Sequence, residues 1–236
     1  VDPEKIVLWN YVPDLLTGTR TTVLSGYVRR LLSPPLPGDG LLLVGFFEGV
    51  VGWSLSWLLV SSPSLAPFGL LRSIVALWLV LTAAIVAVGG LYTAPTVRRN
   101  RIWLLWAGLN TAAVAVNLAA VGGYFPGPVA NLPYAFDLLG AGYWRPWLLV
   151  FGLGYLATAA YNWGNPQIRR DERVVYGLSG VVCLAILSPW VLTSSLPWLG
   201  LDLFGADLFV VGGLLHLLPI GFDVLSDVAL ILRRTG

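Results

Sequence analysis

Residues 69–124 read GLLRSIVALWLVLTAAIVAVGGLY, then TAPTVRRNR, then IWLLWAGLNTAAVAVNLAAVGGY. Two apolar runs, 69–92 and 102–124, flank a short loop that holds Arg98, Arg99 and Arg101. Each run reaches the roughly 20 residues that an α-helix needs to cross the hydrocarbon core of a bilayer. A lipid-embedded segment must satisfy its own backbone polar groups, which makes a helix the fitting element for runs this long. The loop between them has the Lys and Arg excess of a cytoplasmic connection.

The same pattern extends in both directions. Further apolar runs fall at about 41–61, 146–164, 173–194 and 207–232. Arg169, Arg170 and Arg173 mark a second cationic loop; Arg29 and Arg30 precede the first run, and Arg233 and Arg234 follow the last. The alternate loops are almost bare of cations. This asymmetry predicts six crossings with both termini cytoplasmic. Trp57, Trp144, Trp147, Trp190 and Trp198 are expected at the outer interface, and Trp103 and Trp163 at the inner one, as aromatic belts.

Composition agrees. The chain is 57% hydrophobic and 11% charged, against about 25% charged in soluble domains, and its mean hydropathy is +0.79. The net charge of +2 comes from cations flanking the runs. They read as topology and lipid-headgroup contacts, without the clustered basic face of a nucleic-acid binder. Cys183 is the only cysteine, so no intrachain disulfide or multi-cysteine metal site can form, and a small core residue is expected there. The first 40 residues lack a continuous apolar run followed by a cleavage site, so no cleavable signal peptide is expected.

The expected fold is all-α: a polytopic integral membrane protein of the cell membrane, with an N-terminal interfacial segment at 1–40 and a six-helix transmembrane bundle at 41–236. Within the first segment, Leu24, Tyr27, Val28, Leu31 and Leu32 recur at helical spacing beside Arg29 and Arg30. That stripe suits an amphipathic helix over 22–32 lying on the membrane surface. The run Ser33-Pro34-Pro35-Leu36-Pro37-Gly38-Asp39-Gly40 should break any helix. Gly45, Gly49 and Gly52 are expected to bring the first span close to a neighbour, and Gly212 to do so on the last. The loops at 125–145 and 195–206 read as interfacial caps, with a binding lid as the sharper alternative.

Ionisable residues within apolar spans are costly and mark functional candidates. Glu48, His216, Asp223 and Asp227 stand out. The last three share one face of the final run, around Pro219, at the helical repeat of 100° per residue. Pro219 removes one helical hydrogen bond, and disturbed backbone at membrane depth is tolerated where it lines a cavity or packs in protein. At 1.5 Å per residue, Asp227 lies about 9 Å from the inner boundary, Asp223 about 15 Å, His216 about 25 Å and Glu48 about 10 Å. Glu48 and Asp227 are therefore expected to share a level if the first and last helices face each other. Asn110 and Asn117 share a face of the third run and are candidate cavity-lining residues opposite Asp223 and His216. Full ionisation of three carboxyls without a buried cation is opposed by desolvation and mutual repulsion. They must be protonated, hydrated, cation-bound or paired.

Three functions are compatible with these residues. The first is a small proton- or cation-coupled transporter or channel-like protein. Asp223 is its central site, Asp227 and Glu48 its inner relay, and His216 its outer relay or gate. The second is a non-catalytic accessory subunit of a larger membrane complex. The third is a metal-dependent lipid-modifying enzyme. Asp223-x-x-x-Asp227 resembles half of the metal-binding motif of CDP-alcohol phosphotransferases and UbiA-type prenyltransferases, which would imply Mg²⁺ and a diphosphate. The second acidic cluster of those families is absent from the other cationic loops. No nucleophile elbow, P-loop or dinucleotide fingerprint is present, so a non-enzymatic function is favoured and no cofactor is expected. The expected partners are membrane lipids and either a second copy or another membrane subunit, with no nucleic acid.

In intact cells, cysteines introduced as Leu65→Cys and Ala130→Cys should react with an impermeant maleimide. Arg99→Cys and Arg170→Cys should react only after permeabilisation. The reverse pattern contradicts the threading.

Overall fold

Pro37 fixes where the first long helix begins. Its extended conformation places it as the N-cap of a helix running Gly38–Ser61, and Asp39 lies in the first turn, where a carboxylate complements the helix dipole. The helix therefore starts three residues before the expected run. The close approach behind this is visible at Gly40: a Cβ there would lie 2.1 Å from the Leu31 carbonyl oxygen. Only a glycine lets the end of the preceding helix pack so near. The Pro- and Gly-rich run thus breaks the chain before Gly38, and not through Gly40.

The computed structural model describes residues 20–122, 145–165, 168–187 and 207–234. Its helices are α1 (Arg20–Leu31), α2 (Gly38–Ser61), α3 (Leu70–Tyr92), α4 (Pro95–Arg99), α5 (Arg101–Val121), α6 (Arg145–Tyr161), α7 (Arg170–Ile186) and α8 (Asp207–Arg234). A 3-10 turn at Pro63–Leu65 joins α2 to α3. Gly69, at φ +80°, precedes α3 in the left-handed region that glycine enters without a Cβ clash. Pro95 opens α4 at a position where its missing N–H costs nothing. The Asn100 side chain then caps α5 by accepting the Ile102 N–H at 2.8 Å. The expected loops at 125–145 and 195–206 fall almost entirely outside the described residues, as do Trp144, Trp190, Trp198 and the end of the fifth expected run.

Among the described residues, four stretches are long and apolar enough to cross a membrane: Gly38–Ser61, Leu70–Tyr92, Arg101–Ala119 and Val210–Ala229. In α6 the apolar helix is shorter, Trp147–Tyr161. Large apolar side chains cover the outside, with Val80 67% exposed and Leu225 69% exposed. This is the surface that lipid tails, as apolar as leucine, would solvate.

The helices close into a ring in chain order. Contacts run from α2 to α3, α3 to α5, α5 to α6, α6 to α7, α7 to α8, and α8 back to α2. The tightest seam joins α6 to α7, where Gly152 faces Gly180. A Cβ on Gly180 would lie 2.9 Å from the Gly152 carbonyl oxygen and 2.9 Å from the Leu156 nitrogen. On α2, Gly49 meets His216 and Leu217, and Gly52 meets Trp78, as close packing requires. Gly45 is different: a Cβ there would sit 3.7 Å from Ile85, an ordinary contact.

Helix α1 forms over the expected stretch. Its stripe, however, splits: Tyr27 and Leu31 are buried against Leu43 of α2 and Val228 of α8, while Val28 and Leu32 stay exposed. The half of the stripe expected to face lipid is thus docked on protein.

Gly180→Ala should lower the melting temperature by several degrees, because backbone on both sides of the seam must yield. Gly45→Ala should leave it unchanged or raise it, since alanine is the better helix former by about 1 kcal/mol. Thermal unfolding of the two purified variants checks this; equal effects contradict the seam.

Candidate functional site

Tryptophan N–H groups bond across the ring's seams. Trp53 of α2 donates to His216 Nδ1 of α8 at 3.0 Å. Trp78 of α3 donates to Ser56 Oγ of α2 at 3.0 Å. Trp106 of α5 donates to Thr158 Oγ1 of α6 at 3.1 Å, and Trp147 of α6 returns a bond to Asn117 Oδ1 of α5 at 2.8 Å. Three of these indoles rest on glycines of the facing helix: Trp53 on Gly212 and Gly213, Trp78 on Gly52, Trp106 on Gly154. A Cβ on Gly52, Gly154 or Gly212 would come within 2.6–2.7 Å of the ring it carries. The sequence pattern assigns Trp147 to an interfacial belt, but it is 7% exposed and part of the core. Asn117 is its reason: an indole N–H inside the bundle needs an acceptor, and Asn117 supplies it. Trp57 and Trp163 are exposed.

Inside the ring lies a cavity of about 300 Å³. One wall is acidic. It is built from Asp39 and Glu48 of α2 and Asp223 of α8. Tyr176 of α7, also lining the space, donates its hydroxyl to Asp223 Oδ2 at 3.0 Å. The opposite wall is aromatic, with Trp103 and Trp106 of α5 and Tyr155 and Tyr161 of α6, interspersed with Asn110 and Thr158. At one end the cavity reaches Val97, Asn100, Asn165 and Ile168, beside the arginine-bearing loops. At the other it stops at Trp78, Trp147, Phe151 and His216.

That closed end is a stack of rings. His216 lies on Phe151 with centroids 4.4 Å apart and an interplanar angle of 21°. Because His216 Nδ1 accepts the Trp53 proton, the ring's own proton is assigned to Nε2. Next to it the Tyr155 hydroxyl donates to the His216 carbonyl oxygen at 2.6 Å. Pro219 leaves the α8 ladder one donor short in this turn, and the tyrosine supplies a donor from α6 to the adjacent carbonyl.

Glu48, His216 and Asp223 thus share one space, together with Asn110. Asp227 does not line it. The α2–α8 register explains why: Phe46 meets Gly221, Gly49 meets His216 and Leu217, and Trp53 meets Gly212 and Gly213. Glu48 therefore stands level with the Leu218–Pro219 turn, and the residue level with Asp227 is Asp39. The expected pairing of Glu48 with Asp227 is overturned because α2 begins earlier than its hydropathy suggests and α8 runs on to Arg234. Asn117 is also displaced from the expected cavity face, being turned into the α5–α6 seam.

Two acidic residues escape the sequence reading. Asp39 is hidden in a run that looks like a linker. Glu172 is hidden among Arg169, Arg170, Asp171 and Arg173, whose charges read as topology. Yet Glu172 is 2% exposed. It accepts the Arg169 N–H at 3.2 Å and the Ser226 hydroxyl at 3.3 Å, tying α7 to α8. The usable signal was the helical spacing of Glu172, Tyr176, Ser179 and Cys183, all buried on one face. Cys183 is fully buried, as expected. On the surface, Arg169 pairs with Asp171 and holds its carboxyl below the usual range through their hydrogen bond. Such an exposed pair adds little stability. What it adds is present above the ordinary carboxylate range and fades as the pH falls.

Comparison of the chain with family models, with curated proteins and with solved structures finds no match. The fold and cavity define a membrane-embedded, all-helical protein whose central space has one acidic and one aromatic wall.

Tyr27 supplies a test of the acidic side. Its buried hydroxyl has no hydrogen-bond partner among the described residues. Its ionisation is pushed well up, first by burial and then by the charges of Asp227, Asp39 and Asp223. Tyr27→Phe should match or exceed the parent's melting temperature at neutral pH, since it removes an unsatisfied group. Above about pH 10 the unfolded phenol ionises while the folded one resists, so the parent loses stability that the variant keeps. A parent-minus-variant difference that does not change with alkaline pH contradicts this placement.

Proposed function

We propose that the protein is a small proton- or cation-coupled transporter of the cell membrane, with six spans and both termini cytoplasmic. The carrying observation is the cavity, which joins Glu48 of α2 to Asp223 and His216 of α8. An acidic group at membrane depth is costly unless it lines a hydrated path or meets a cation. Such a path is available here from the arginine-bearing end. The connections at that end support the threading. Leu36 and Thr93 form a bridge between the α1–α2 and α3–α4 linkers. Arg169 Nη1 donates to the Ser226 carbonyl oxygen at 3.3 Å, and Arg98 Nη1 to that of Gly90 at 2.9 Å. These contacts are the kind expected if the arginine-rich connections share one side of the membrane, and they support this threading.

In this reading the structure represents one of two access states. Asp223, held by Tyr176, is the central proton or cation site, and Glu48 is the second carboxyl within the same space. His216, Phe151, Trp53 and Trp147 form the gate at the closed end. Asp227 belongs outside the conducting space, next to α1. The lipid-modifying alternative would require converging ligands for a divalent ion. Among the described residues, no group of three or more His, Cys, Asp or Glu side chains converges in that way.

The test is flux in proteoliposomes, read with an internal pH dye under an imposed potential and with alkali-cation uptake. Asp223→Asn and Glu48→Gln should each reduce coupled flux at least tenfold while the melting temperature holds or rises, because amides remove the desolvation cost of a carboxylate. Asp227→Asn should keep most of the flux. Parent protein without flux, combined with stabilised Asp223→Asn, favours an accessory subunit.

A further inference from the structure

Resting on the transporter reading, we infer that the cavity takes an organic cation with an aromatic or branched apolar body. Three features of the cavity carry this. The first is sign. Asp39, Glu48 and Asp223 line it, and no Lys or Arg does so among the described residues. Glu48 has no hydrogen-bond or ion-pair partner among those residues, and a half-buried carboxylate in that position is completed by a positive ligand.

The second feature is the facing wall. Trp103, Trp106, Tyr155 and Tyr161 present ring surface opposite the carboxyls. An aromatic face attracts a cation through its quadrupole, with tryptophan the strongest. The two indoles are also packed against backbone of the neighbouring helices. Trp103 is wedged on Gly89 and Trp106 on Gly154, and the N–H of Trp106 is anchored on Thr158. Trp106 and Tyr155 meet edge to face at 5.0 Å. A preformed cage loses little freedom on binding.

The third feature is size and polarity. About 300 Å³ is the low end of small-molecule sites and far exceeds what a bare metal ion or hydronium needs. A mostly apolar lining with a few convergent polar groups suits a bulky ammonium, whose spread charge is cheaper to dehydrate than a compact one. A strongly hydrated divalent cation would forfeit its water shell here, where no group of three or more His, Cys, Asp or Glu side chains converges among the described residues. The ligand therefore sits between the carboxyl wall of α2 and α8 and the indole wall of α5, displacing whatever proton or cation the carboxyls carry.

The probe is benzyltrimethylammonium, set against benzylsulfonate as an anion of similar shape, titrated by calorimetry into the full-length protein in lipid nanodiscs. The cation should bind with one-to-one saturation and the anion should not. Glu48→Gln and Trp106→Leu should each weaken the cation about tenfold, while Trp106→Phe, which keeps a ring, should weaken it less. Melting curves verify that each variant is folded, and Trp103→Leu replaces Trp106→Leu if the latter unfolds. Equal binding of cation and anion, no binding of the cation, or affinity indifferent to both walls overturns the inference. Flux without benzyltrimethylammonium binding would leave the transporter reading standing and remove this ligand class. Binding without flux would do the opposite.

Discussion

The structure depends on indole N–H groups that find acceptors across helix seams. Between apolar helices in lipid there is no hydrophobic driving force, so packing and interhelical hydrogen bonds must specify the neighbours. Four tryptophans do this work along the ring: Trp53 to His216, Trp78 to Ser56, Trp106 to Thr158, and Trp147 to Asn117. Each bond is worth on the order of 0.6 kcal/mol, with about 1.7 as an upper value. Their effect lies less in total energy than in register, because an indole displaced by one turn would leave both its N–H and its acceptor unsatisfied. The glycines beneath three of these rings are the other half of the device. They let a flat side chain lie against helix backbone, which brings α2 to α8, α3 to α2, and α5 to α6.

The cavity follows from the same constraint. Large rings border a central space that the remaining side chains do not fill. Where the rings converge, at Trp78, Trp147, Phe151 and His216, the space is closed. Where they thin out toward Asn100 and Asn165, it continues to the helix ends. The acidic groups fall on the α2–α8 side because those helices contact through Gly49, Gly212 and Gly221. The close approach leaves Glu48 and Asp223 directed into the ring and not into the seam.

The sequence made the long helices and the clustering of arginines legible, since hydropathy and charge act locally and need no knowledge of neighbours. It also singled out Glu48, His216 and Asp223, because ionisable residues are conspicuous in apolar surroundings. It could not pair them correctly. The register between α2 and α8 is set by Phe46 on Gly221 and Trp53 on Gly212, contacts between residues far apart in the chain. Trp147 looked interfacial because end-of-run tryptophans usually are, and only the opposing Asn117 makes it a core residue. Asp39 and Glu172 were obscured by their neighbours: one sits in a Pro- and Gly-rich run, the other among arginines.

Hydrogen exchange at the indole nitrogens, followed by ¹⁵N spectra of the protein in lipid nanodiscs and assigned by single Trp→Phe variants, tests this account most directly. The account predicts slow exchange at Trp53, Trp78, Trp106 and Trp147, whose protons are bonded across seams, and fast exchange at exposed Trp163. Fast exchange at all five would place these indoles at the membrane interface and remove the framework on which the cavity stands.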